Sequence, residues 1–171
     1  GLARQGKSRL LQSLSGLTTE EIPDGDREHC TGVRSTVYHT PGVAPYAEVW
    51  FYSERGFLNE VIAPYYNGLR LGPPPFSVAE FMNQDVPSLP DGLTGDPKAK
   101  TKYDRLIEYK NRIQEYRGLL SETSPKRVSR DKIREYVAQD TSDGQRIYSN
   151  YLAAREAKIY CEFPFPGVGQ V

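Results

Sequence analysis

The first eight residues, Gly1-Leu2-Ala3-Arg4-Gln5-Gly6-Lys7-Ser8, fit the pattern G-x-x-x-x-G-K-[ST]. No other stretch of the sequence constrains the fold as tightly. In such a loop, backbone N–H groups converge on phosphate oxygens, and glycine permits the close approach because it carries no Cβ. The loop must then run into a helix whose free N–H groups and dipole face the anion. Residues 7–17 meet that demand. Leu10, Leu11, Leu14 and Leu17 make the apolar stripe of a helix packed on a sheet, and Gly16 supplies the stop signal. The expected nucleotide-binding segment is therefore Gly1, Leu2, Ala3, Arg4, Gln5, Gly6, Lys7, Ser8 and Arg9. Within it, Lys7 places a point charge on the terminal phosphates and the Ser8 hydroxyl is offered to Mg²⁺. A loop of this kind ordinarily follows a buried strand. Here it opens the sequence without an initiator Met, and Val171 falls in a second expected strand. The chain reads as an excerpt of a longer one.

Charge and cysteine usage narrow the partners. Lys plus Arg equals Asp plus Glu, at 22 each, which gives no electrostatic ground for nonspecific nucleic-acid binding. The two cysteines, Cys30 and Cys161, are far apart and show no C-x-x-C spacing, as in a reduced intracellular chain. No apolar run approaches the roughly 18 residues that a membrane span requires. The expected compartment is the cytoplasm.

Beyond the first helix, residues 18–32 are polar and contain Pro and Gly, which predicts a loop. Two β-rich runs follow, at 34–40 and 46–53, with Pro41, Gly42 and Pro45 between them. They predict an antiparallel pair. Ser53 can cap a helix with Phe57, Leu58, Val61, Ile62 and Tyr65 on one side. Ser77 and Glu80 form a capping-box pattern before Phe81, and Asp96-Pro97 makes an N-cap and N1 pair for a long helix over about 97–120. Its stripe is Tyr103, Leu106, Ile107, Ile113, Tyr116 and Leu120. Ser129 is expected to open a short helix bearing Ile133, Tyr136 and Val137, with a last helical stretch near 144–153. From 155 the pattern turns to period two: Ala157, Ile159, Cys161 and Phe163 alternate with polar neighbours, as in a half-buried strand.

The run GLARQGKSRLLQSLSG resembles the phosphate loop of the dynamin superfamily, and of the guanylate-binding proteins in particular. Their fourth loop position is an arginine that folds back over the phosphates. The resemblance implies that Arg4 is an internal arginine finger, with a plain exposed side chain as the alternative. Cys30-Thr31-Gly32-Val33-Arg34 is similar to the switch I segment of the same GTPases. By that likeness Thr31 gives its hydroxyl to Mg²⁺ and its backbone to the γ-phosphate, with Thr36 as runner-up in a β setting. The layout also resembles bacterial dynamin-like proteins, which can carry a helical insertion before the strand leading to D-x-x-G. EAKIYCEFPFPGVGQV looks like that lead-in. No D-x-x-G occurs after switch I, and guanine preference rests on the likeness alone.

The expected fold is α/β, a partial P-loop NTPase domain of the dynamin type with a helical insertion. Residues 1–52 would carry the P-loop, first helix, switch I and strand pair, 53–153 the insertion, and 154–171 the strands returning to the sheet. The expected catalytic residues are Arg4, Lys7 and Thr31, the metal ligands Ser8 and Thr31, the cofactor Mg²⁺ and the substrate GTP. The likeness further implies homodimerisation through the nucleotide face and peripheral membrane association. The alternatives are a P-loop ATPase or kinase of another branch, and a non-catalytic interaction module working through the insertion. Four features fit packing or solvation better than chemistry: His29 beside Cys30, the cluster Lys126-Arg127 with Arg130 read as a helix entrance, and the pairs Tyr65-Tyr66 and Trp50-Phe51 read as core.

Overall fold

A computed structural model of the chain describes residues 33–121, 123, 125–137 and 149–162. It divides into two compact units, one built from the chain up to Phe51 and from Ser124 onward, the other from Tyr52 to Thr123.

Among the described residues, the first unit holds a mixed four-stranded sheet. Its strands are β1 (Arg34–His39), β2 (Tyr46–Phe51), β3 (Lys126–Ser129) and β4 (Ala154–Cys161), in the order β1-β4-β2-β3. The α/β class is thus as expected, but the strand pairing is not. β1 and β2 do not pair with each other. β4 lies between them, parallel to β1 (Arg34 opposite Glu156, His39 opposite Cys161) and antiparallel to β2 (Tyr46 opposite Tyr160). The linker explains the outcome. Tight hairpins favour two-residue loops, whereas Thr40 to Pro45 is longer and carries two prolines. It can step over a strand, because two strand spacings amount to only about 9.6 Å. The ladder even continues past β1, with the Thr40 N–H donating to the Cys161 carbonyl at 2.8 Å.

Alternation gives the sheet one apolar face. Ala47, Val49 and Phe51 from β2, Ala157, Ile159 and Cys161 from β4, and Val128 from β3 are all buried. A short helix, here α5 (Ile133–Val137), adds Ile133, Tyr136 and Val137 to this unit's buried residues, and Tyr136 meets Phe51 edge-on at 6.1 Å. Ser129 opens the helical stretch as expected, as the N-cap of its first turn, but the residues that lead into it are a strand. Residues 126–129 form β3, a 3₁₀ turn spans Arg130–Lys132, and the helix starts only at Ile133. Backbone pairing with β2 fixes β3, although it contributes a single buried side chain, Val128. Of the helix expected near 144–153, the described end is a 3₁₀ turn at Asn150–Leu152.

The second unit is helical. α1 (Glu54–Phe57) starts at Ser53, whose hydroxyl accepts from the Gly56 N–H at 3.0 Å. A wide π turn follows at Leu58–Ile62, then α2 (Ala63–Gly68). Pro64 accounts for the widening. It has no N–H for the Glu60 carbonyl, and its ring crowds the preceding turn. α3 (Val78–Asn83) begins at Ser77, whose hydroxyl accepts from the Glu80 N–H at 3.0 Å. The Glu80 carboxylate reaches back to the Phe76 N–H at 2.9 Å, one residue earlier than in the usual box. α4 (Pro97–Tyr116) is capped by Asp96, which accepts from the Lys98 N–H at 3.0 Å, and continues as a 3₁₀ turn over Arg117–Ser121. Lys110 on α4 closes the other end of α3, donating to the carbonyls of Phe81 and Met82 at 2.5 and 2.6 Å.

The core of this unit is aromatic. Phe57 is wholly buried, with ring centroids of Tyr116, Tyr109 and Phe81 at 5.7, 5.9 and 6.5 Å. Tyr65 stands 5.9 Å from Tyr109, and the Tyr116 hydroxyl donates to the Tyr109 carbonyl at 2.7 Å. Burial disfavours phenolate, and it holds the hydroxyls of Tyr65, Tyr66 and Tyr109 above their ordinary value of 10.0. The folded unit therefore keeps these tyrosines neutral at a pH where an unfolded chain ionises. Their contribution is complete below about pH 10 and is lost as pH rises through the elevated native values. Lys110, lowered chiefly by burial, acts in the opposite sense as a single group. Circular dichroism should show helix lost together with a late rise in tyrosinate absorbance. Titration of every tyrosine near pH 10 with the helices intact would contradict this arrangement.

Candidate nucleotide-binding site

The residues that carry the P-loop reading, Gly1 to Arg9 with Arg4, Lys7 and Ser8, lie outside the described residues, and so does Thr31. Of the sequence-derived candidates, Thr36 is described. It is an exposed residue of β1 opposite Lys158, consistent with a side chain on a ladder. Val33 is buried, and the Ser35 hydroxyl donates to its carbonyl at 3.3 Å.

The face of the sheet that carries Thr36 is polar and aromatic. Strand register places Tyr38, Tyr160 and Tyr46 in one row, and Thr36, Lys158, Glu48 and Arg127 in the next. The three tyrosines stack in sequence, with centroids 5.2 and 5.0 Å apart and interplanar angles of 18° and 21°. Arg127 lies over Tyr46 at 3.9 Å, and Lys158 over Trp50 at 4.8 Å. Glu48 stands opposite both Lys158 and Arg127, so its carboxylate offsets one of the two positive charges along the row. The Tyr160 hydroxyl is raised by partial burial, then by Glu48 and the flanking tyrosines.

Two earlier readings change here. Trp50 is not core; it is half-buried on this face while Phe51 is buried on the other, because adjacent strand residues point opposite ways. Lys126 and Arg127 lie just ahead of the helical stretch that Arg130 begins, but not in its first turn. They sit on a strand, with Lys126 over the Tyr136 ring at 5.5 Å. Period-two alternation from Tyr46 to Phe51 was the signal that could have separated Trp50 from Phe51.

Among the described residues no group of three or more His, Cys, Asp and Glu side chains could hold a metal ion. No described helix is long and apolar enough to cross a membrane. Compared with known proteins, the chain matches no family model and no curated protein.

Proposed function

We propose that the chain carries the front of a phosphate-binding site from a dynamin-like GTPase. The observation that carries this reading is the run Gly1–Ser8 followed at once by the leucine stripe Leu10, Leu11, Leu14 and Leu17. The α/β class of the sheet unit is compatible with it. In this proposal the loop N–H groups hold the phosphates and Lys7 balances their charge. Arg4 stabilises charge that builds up as water attacks in line. Ser8 and Thr31 offer hydroxyl oxygens, hard donors that suit Mg²⁺. The ion, when bound, would neutralise phosphate charge. Thr101-Lys102-Tyr103-Asp104 has the letters of [NT]-K-x-D but lies inside helix α4, and no D-x-x-G follows Thr31, so the residues present support binding better than turnover.

A second reading is favoured by one feature of the structure: Tyr52–Thr123 forms a compact unit of its own. There the helical unit is the working surface and nucleotide plays no part. A fluorescent guanine nucleotide bound by the protein and displaced by GTP but not by ATP would support the GTPase. Equal displacement by ATP would move it to another P-loop branch, and no binding at all would leave the interaction module.

A further inference from the structure

Among the described residues, β1 and β3 form the two edges of the sheet, and they are built differently. β3 follows Pro125 and carries Lys126 and Arg127, residue types that keep an edge from pairing with another strand. β1 has none of these devices. Its sequence, RSTVYH, holds neither Pro nor Lys, and it pairs with β4 without a register shift from Arg34 to His39. The ladder shows which backbone groups remain on its outer side. The Thr40 N–H donates to the Cys161 carbonyl, so Tyr38, Thr36 and Arg34, at steps of two, direct their N–H and C=O groups toward β4. Ser35 and Val37 direct theirs outward.

The tyrosine stack ends at this same edge. Arg127 closes its β3 end by lying over Tyr46, and Tyr160 and Tyr38 follow in order. At the β1 end Tyr38 is 40% exposed, and among the described residues no cation or further ring lies beyond it. Arg34, two steps along β1 from Thr36 and opposite Glu156 on β4, is exposed as well.

We propose that β1 pairs antiparallel with β1 of a second copy of this chain, about a two-fold axis at Thr36. Antiparallel strands alternate between residue pairs that exchange hydrogen bonds and pairs that do not. The outward groups of Ser35 and Val37 make the bonded pair, Ser35 opposite the partner's Val37. Thr36 then faces the partner's Thr36, and Tyr38 faces the partner's Arg34 on the same side of the sheet. Each Tyr38 gains an arginine at its open end, as Tyr46 has in Arg127. The contact occurs twice, because a two-fold interface uses the same patch on both copies. This match of cation to ring selects a second copy as the occupant. It uses nothing of the phosphate loop, so the dimer forms without nucleotide.

Sedimentation equilibrium of the nucleotide-free chain should show a monomer–dimer equilibrium. Arg34→Ala should weaken it about tenfold, since two cation–ring contacts are lost per dimer. Val37→Pro should abolish it and leave the sheet folded by Trp50 emission, because the N–H it removes points away from β4 and proline is tolerated at such edge positions. Disulfide formation in a Cys30→Ser background reads the register. Thr36→Cys should link two copies, since unbonded antiparallel pairs hold their Cα atoms about 4.5 Å apart, within disulfide reach. Ser35→Cys should not, because it lies opposite the partner's Val37 and on the other face. A monomer at every concentration, or a dimer that survives Val37→Pro, overturns the proposal. So does linkage through Ser35→Cys in place of Thr36→Cys. A dimer seen only with GTP and Mg²⁺ overturns it too, and assigns association to the nucleotide face.

Discussion

Phe57→Ala should destabilise the helical unit by about 3–5 kcal/mol, the range for removing a wholly buried phenylalanine. The loss has two parts. One is the transfer free energy of the ring, and the other is the cavity left among Phe81, Tyr109 and Tyr116, whose centroids all lie within 6.5 Å of it. Edge-on and tilted ring pairs add roughly 0.5–1.5 kcal/mol each beyond burial, and the substitution removes three of them at once. Since whole domains are stable by only about 5–15 kcal/mol, the helices should unfold at markedly lower urea. Circular dichroism along a urea titration measures it. A shift under about 1 kcal/mol, the size of an ordinary surface change, would mean that the ring is not the hub described.

The second large effect concerns the chain's division. β2 and β3 are antiparallel neighbours, with Tyr46 opposite Ser129 and Val49 opposite Lys126. All of Tyr52–Thr123 is thus inserted into what would otherwise be a simple hairpin. Replacing it with Asn-Gly, the residues of a two-residue turn, should leave the sheet unit folded. Closing a shorter loop is also easier, by roughly 0.6 kcal/mol for each halving of its length. Trp50 is the chain's one tryptophan and lies on β2, so its emission reports on the sheet alone. A cooperative Trp50 transition in the shortened protein is the expected result. Aggregation or a featureless transition would show that the sheet depends on the helical unit.

The local devices were the most legible part of the fold. Ser53, Ser77 and Asp96 cap helices as their side chains predict, because capping is decided within three residues. The period-two run at 154–161 is a strand whose apolar members are buried. Other features depended on distant partners. The insertion of β4 between β1 and β2 is fixed by a strand more than a hundred positions away in the chain. β3 was hidden because KRVS carries one apolar residue and is held by backbone bonds to β2. The π turn needed the effect of Pro64 on a helix otherwise well patterned. For the site the balance is reversed: the proposed phosphate cradle rests on the local G-x-x-x-x-G-K-S spacing, and the sequence alone carries that reading.

The phosphate role proposed for Lys7 is tested most directly by titrating a fluorescent guanine nucleotide, with Mg²⁺ present, into the wild-type chain and Lys7→Ala. The expected result is saturable binding to wild type and a loss of tenfold or more in the variant, about 1.4 kcal/mol or greater. Equal binding by the two proteins, with both folded by circular dichroism, would contradict it.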